Sequence, residues 1–177
     1  MRLSRDDIIA GLTELATRMD AGSIAATIHV VGGSAISLAY NHLRESTTDV
    51  DSWLYVDHTL VEAVDAIVRE IAIERQWRDD WFNTKATMFL PEYGEPFAWR
   101  TLLEIGVVCV LVAPPDVLLA MKLLAGRGRR DLPDLGPLIG ECEIGTVSAA
   151  IELFDSFYPH DEMSRKSLAW LKQNLEP

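Results

Sequence analysis

The sequence predicts an α/β (α+β) fold with a helical C-terminal third, and three observations carry that prediction. An apolar run, Thr27-Ile28-His29-Val30-Val31, ends in Gly32-Gly33-Ser34 and leads into a helix-like segment. A second apolar run, Ser52-Trp53-Leu54-Tyr55-Val56, follows Asp49-Val50-Asp51. Beyond Pro114-Pro115, apolar residues recur at helical spacing. The resulting order is helix, strand, helix, strand, helix, strands, helices, which suits a mixed core followed by helices.

Each element has its own signal. Ser4 can cap a helix running to about Met19, with Asp7 at its third position, and Ala21-Gly22-Ser23 breaks it. A strand at 27–31, a glycine turn and a short helix at 34–43 follow. The next strand is 49–56. Leu60, Val64, Ile67, Val68 and Ile71 mark an amphipathic helix at 59–76, with Asp65 and Arg69 able to pair on its outer face. Residues 77–98 are aromatic and irregular, with turns at Pro91, Gly94 and Pro96, and their rings suit a core better than a base-stacking platform. Strands at 101–105 and 107–112 flank Gly106 as a hairpin. Asp116–Ala125 is a helix apolar nearly all round, closed by Gly126. Another helix starts at Asp131 with Pro133 in its first turn. Helices at 146–158 and from Ser164 to Leu175 complete the chain. Residues 1–140 are expected to form the core and 141–177 to add helices packed on it.

Composition sets the bounds. The 177 residues suit one domain, or one domain with a small helical appendix. A 49% hydrophobic content supports a sizeable core. No run of about eighteen apolar residues occurs, so no membrane span is expected. The first residues lack the apolar segment of a secretion signal, and Cys109 and Cys142 have no metal spacing. A reduced, cytoplasmic compartment is expected, with Cys109 a buried thiol. His29 is expected as a packed core histidine, and His42, His58 and His160 form no metal spacing. A net charge of −11 argues against broad nucleic-acid binding. It leaves room for a local footprint, and Gly126-Arg127-Gly128-Arg129-Arg130 is the densest basic cluster.

Two motifs carry chemistry. A glycine turn opening a helix leaves N–H groups unpaired beside the positive end of the helix dipole, a site for phosphate. Asp49 and Asp51 share one strand face. Adjacent carboxylates repel unless a cation lies between them, and hard divalent metals take such oxygens. Glycine pairs also make plain turns, Ser34 can be a simple cap, and paired acids are often just solvated. In this order and context, the two motifs together suggest metal-assisted nucleotidyl transfer.

Val31-Gly32-Gly33-Ser34 with Thr48-Asp49-Val50-Asp51 resembles the signature of the DNA polymerase beta-like nucleotidyltransferase superfamily. The stretch Leu118 to Ala125, with Arg127, Arg130-Asp131 and Asp134-Leu135, resembles minimal nucleotidyltransferases of the AbiEii toxin group and a related uncharacterised bacterial branch. Asp80-Trp81-Phe82-Asn83 is similar to a tryptophan-apolar-asparagine motif of that branch. The resemblance covers roughly residues 25–140. It implies a small mixed sheet flanked by helices, NTP as substrate and two magnesium ions on the carboxylates. Gly32, Gly33 and Ser34 would bind the nucleotide, and Asp49 and Asp51 the metal. Lys122 would face the triphosphate or the acceptor, and Asp131 would complete the catalytic set. The acceptor would be a tRNA end or a protein side chain, with a toxin role and a cognate antitoxin as partner.

Local readings stand beside these. An ammonium in an apolar helix either snorkels or finds an anion, so Lys122 has both roles open. Asp131 can be an N-cap and Asp134 a capping-box acid. Many members of the superfamily carry a third acid on a later strand. Val107–Val112 has none, and Glu104 on the preceding strand is the nearest candidate. Two rival functions follow: a non-catalytic antitoxin or interaction protein, and an aminoglycoside-type transferase whose cationic substrate suits the negative charge.

Overall fold

The computed structural model describes residues 2–42, 44, 47–94 and 97–175. α1 (Arg5–Ala21) begins at Ser4, whose hydroxyl accepts from the Asp7 backbone at 3.1 Å, while the Asp7 carboxylate accepts from the Ser4 backbone at 2.9 Å. This reciprocal box satisfies two donors that a helix start otherwise leaves open. β1 (Ala26–Val30), α2 (Gly32–Ala39) and β2 (Val50–Val56) follow. A 3-10 turn at His58–Leu60 then leads into α3 (Val61–Arg75). Arg69 donates to the Asp65 carbonyl at 3.1 Å rather than pairing with its carboxylate there. α2 begins two residues earlier and ends four residues earlier than the expected 34–43 helix, with Tyr40 as its C-cap, while Leu43 and the turn at Pro96 lie outside the described residues.

The aromatic segment contains a strand that the sequence did not signal, β3 (Phe82–Asn83). β4 (Arg100–Ile105) and β5 (Val108–Val112) form the expected hairpin, with Gly106 at φ +51° in its turn. The sheet runs β3-β2-β1-β5-β4. β1 is antiparallel to β2 and parallel to β5, and β3 is parallel to β2. It is the small mixed sheet expected. Ile28, Val30, Val50, Val108, Val110 and Val112 are buried. α1 packs against β4, β5 and α3, and α2 against β2 and β5. The aromatic residues divide: Trp81 and Phe82 are buried, whereas Phe89 and Tyr93 are exposed. Cys109 is half-buried rather than sealed in the core.

The chain divides into two compact units. The first comprises residues 1–88 and 99–113, and the second 89–98 and 114–177. The second holds α4 (Pro115–Ala125), α5 (Leu132–Glu141), α6 (Val147–Phe157) and α7 (Arg165–Leu175). α4 and α5, which the sequence grouped with the core, lie with the C-terminal helices because α4 packs against α5, α6 and α7. Gly126 ends α4 at φ +50°, where a Cβ would stand 1.9 Å from the Ser164 hydroxyl. Among the described residues, no helix is long and apolar enough to cross a membrane.

Candidate functional site

β1 delivers the chain to Val31, extended at φ −127° and ψ −173°, and Gly32 turns it at φ +64°. That left-handed conformation favours glycine. Val31, at the N-cap of α2, offers no side-chain cap, and the first backbone amides carry the positive end of the helix. Asp51 enters from the neighbouring strand. Its carbonyl accepts from Val31 N–H at 2.9 Å. A Cβ on Gly32 would stand 2.9 Å from Asp51 Oδ2, so the bare glycine is what lets this carboxylate reach the turn. Asp49 sits half-buried just before β2, with the Thr48 hydroxyl donating to its Oδ1 at 3.0 Å. Ser34 is 1% exposed and donates its hydroxyl to the Val31 carbonyl at 3.0 Å, which braces the turn from inside.

Sequence reasoning missed Arg44. Its guanidinium lies against Gly33, where a Cβ would stand 2.8 Å from one terminal nitrogen and 3.0 Å from Cζ. Only the fold shows this, because Arg44 follows α2 with no periodic or motif signal of its own. The structure thus brings together Gly32, Gly33, Asp51 and Arg44.

The Trp81-Phe82-Asn83 segment holds the mouth of β2. Val50 N–H donates to the Trp81 carbonyl at 2.6 Å, and the Ser52 hydroxyl to the Asn83 carbonyl at 3.1 Å. Asp51 is in register with Asn83. Trp81 is fully buried and its indole N–H donates to the Val68 carbonyl at 3.0 Å, anchoring the segment on α3. Asp80 pairs with Arg78 at 2.8 Å and Lys85 at 2.9 Å, and the Arg78 hydrogen bond holds its carboxyl well below the usual range.

Asp51, Trp53 and Tyr55 alternate onto one face of the sheet. His29 stacks on Trp53 at 4.8 Å and meets Trp99 edge-on at 4.5 Å, and burial lowers its pKa despite a hydrogen bond with the Trp53 backbone. It is half-buried, less enclosed than a core histidine. Glu104 pairs with Cys109, in register with Thr27 and Tyr55. That row is roughly 13 Å from Asp51 along β2 at the usual strand rise. A pocket of about 500 Å³ lies there, lined in part by Tyr55, Asp57, Glu104 and Cys109. Glu104 is therefore no third ligand beside Asp51. Among the described residues, no group of three or more His, Cys, Asp and Glu could hold a metal. Asp49 and Asp51 offer hard oxygens that fit magnesium arriving with phosphate and water, not a closed protein cage.

Lys122 and Asp131 meet inside the helical unit. Lys122 is 4% exposed, and its ammonium donates to Asp131 Oδ1 at 2.7 Å and pairs with Asp134 Oδ2 at 2.9 Å. Arg127 Nε donates to Asp131 Oδ2 at 2.8 Å, and Arg127 N–H to the same oxygen at 2.9 Å. The ammonium has found anions, so snorkelling does not describe it. Nor is Asp131 a side-chain cap of α5, since its carboxylate faces these cations. Burial alone raises the Asp131 pKa, but the Arg127 hydrogen bond and the Lys122 charge outweigh it and hold the carboxyl at about 2.

No protein-family model matches the chain, and no curated protein matches it. Among solved structures it is similar to an antigenic nucleotidyltransferase-like protein from Paracoccidioides brasiliensis. The TM-score is 0.52 and the identity 16%, over 90% of this chain and 92% of that one. The fold is nucleotidyltransferase-like. The likeness extends along nearly the whole chain, beyond the roughly 25–140 span of the sequence resemblance. Within the nucleotidyltransferase-like fold, the glycine turn and Asp51 belong to the sheet unit, and the Lys122 cluster belongs to the helical unit.

Proposed function

We propose that the protein is a magnesium-dependent nucleotidyltransferase that moves a nucleoside monophosphate from an NTP to an acceptor hydroxyl. The observation that carries this reading is the seat of Asp51 against Gly32, where the first turn of α2 and a carboxylate meet. The nucleotidyltransferase-like fold supports it. Asp49 and Asp51 would hold magnesium, which when bound supplies Lewis-acid polarisation of the α-phosphate. The Gly32 and Gly33 amides donate to phosphate oxygens at the positive end of α2. Arg44 adds a guanidinium suited to a phosphate edge. The acceptor oxygen forms a bond to the α-phosphorus, the α–β anhydride bond breaks, pyrophosphate leaves and the acceptor's proton passes to solvent water. Lys122 and Asp131 act in this reading as an internal brace of the helical unit. A tRNA end or a protein side chain is the acceptor class, with a toxin role, that the AbiEii resemblance supports.

The acid-free β5 and the remote Glu104 favour a second reading: a nucleotide-binding member of the fold without turnover. Incubation with labelled NTPs, magnesium and bulk tRNA separates the two. Transfer of label with pyrophosphate release, lost in Asp51→Asn, supports the enzyme. NTP binding without transfer supports the second reading.

A further inference from the structure

We propose that the helical unit carries a binding patch for single-stranded RNA, built from the turn at Gly128–Arg130 and α7. This extends the transferase reading by making a polynucleotide the acceptor, and it absorbs the basic cluster noted in the sequence. Arg129, Leu132, Pro133 and Trp170 line an open depression of about 560 Å³. Gly136 borders it, and a Cβ there would stand 3.9 Å from the Trp170 ring, so the indole lies close along α5. Lys166, one turn before Trp170 on α7, brings its ammonium to 3.9 Å from a Cβ at Gly128. Arg129 therefore lines the depression with Trp170, and Lys166 approaches it at Gly128.

The turn and α7 are themselves basic, unlike the chain as a whole. α7 spans Arg165, Lys166 and Lys172 and contains no acid. Asp131 and Asp134, the acids next in sequence to Arg129, are buried and face Lys122 and Arg127 instead of solvent. Their charge is spent internally, and Arg129 stands exposed on the turn. Guanidinium and ammonium groups beside an indole suit a single strand: phosphates to the cations, an unstacked base to the ring. A duplex hides its base faces and fits less well.

The test is fluorescence anisotropy of the full chain with a labelled single-stranded RNA of about a dozen nucleotides, titrated across salt concentrations. Binding at low salt is expected, with a log–log salt slope of roughly −1.4 for two phosphate contacts. Arg129→Glu combined with Lys166→Glu should weaken it more than about tenfold, and Trp170→Ala roughly tenfold, while Trp170→Phe retains most of it. Thermal unfolding of each variant checks that the fold persists. Absence of binding at low salt, binding indifferent to the charge reversals, or equal binding of duplex RNA or polyglutamate overturns the proposal. Magnesium–NTP titration of the same variants reads the Gly32–Asp51 site separately. If the wild-type chain binds magnesium–NTP but no RNA, the patch alone falls; if it binds RNA at this patch but no magnesium–NTP, the transferase reading alone falls.

Discussion

A lysine in an almost wholly apolar helix must reach water or a counter-charge, and Lys122 has the counter-charge: two buried aspartates. Lys122→Met would leave those carboxylates short of a cation, at a cost of about 3–5 kcal/mol. Urea unfolding of the variant measures this, and an unchanged midpoint would contradict the pairing. Asp131 gives a second, pH-dependent signature. Its carboxyl is held at about 2 against an ordinary value of 3.8. A depressed carboxylate contributes stability above its unfolded pKa and loses it as pH falls through its folded pKa. The loss should run from pH about 4 to about 2 and amount to roughly 2 kcal/mol. Acid-unfolding curves should show a shallower limb in Asp131→Asn, and an identical limb would place the acid sensitivity elsewhere. The sequence made the question about Lys122 legible, because its isolation among leucines is visible there. Its partners were hidden, because they lie on the next helix and α4–α5 packing decides which carboxylates arrive. Arg44 was hidden for the same reason: its meeting with Gly33 depends on how the chain leaves α2.

At the scale of elements, caps and periodicity made most of the fold readable. Ser4 with Asp7, Gly126 after α4 and Gly106 in the hairpin act through local rules. β3 escaped because two residues give no alternation; pairing with β2 makes it a strand. Its anchor is the Trp81 indole on α3, and through it the edge of the sheet beside Asp51 is set. Trp81→Phe keeps most of the buried ring and removes the hydrogen bond. We expect a loss of about 1 kcal/mol in unfolding free energy, with a larger relative drop in magnesium–NTP affinity as the β2 mouth loosens. Equal NTP affinity in a folded Trp81→Phe protein would show that the segment supports stability and not the site.

For the whole molecule, the net charge of −11 means that an anionic ligand must be met by local features. The sheet unit supplies the first α2 amides, the Arg44 guanidinium against Gly33 and Asp51 against Gly32, whose negative charge a magnesium ion would offset. The nucleotidyltransferase-like fold was legible from two short motifs because glycine turn, helix and carboxylate strand occur in order. The missing third acid was legible too; that Glu104 cannot supply it follows only from the strand register. The most direct test of the central claim is calorimetric titration of a nonhydrolysable NTP with magnesium into the wild-type chain and into Asp51→Asn. Saturable binding that Asp51→Asn weakens at least about tenfold is the predicted result, the scale of one lost charged ligand. Equal affinity in a correctly folded Asp51→Asn protein would contradict the assignment of the Gly32–Asp51 seat as the nucleotide site.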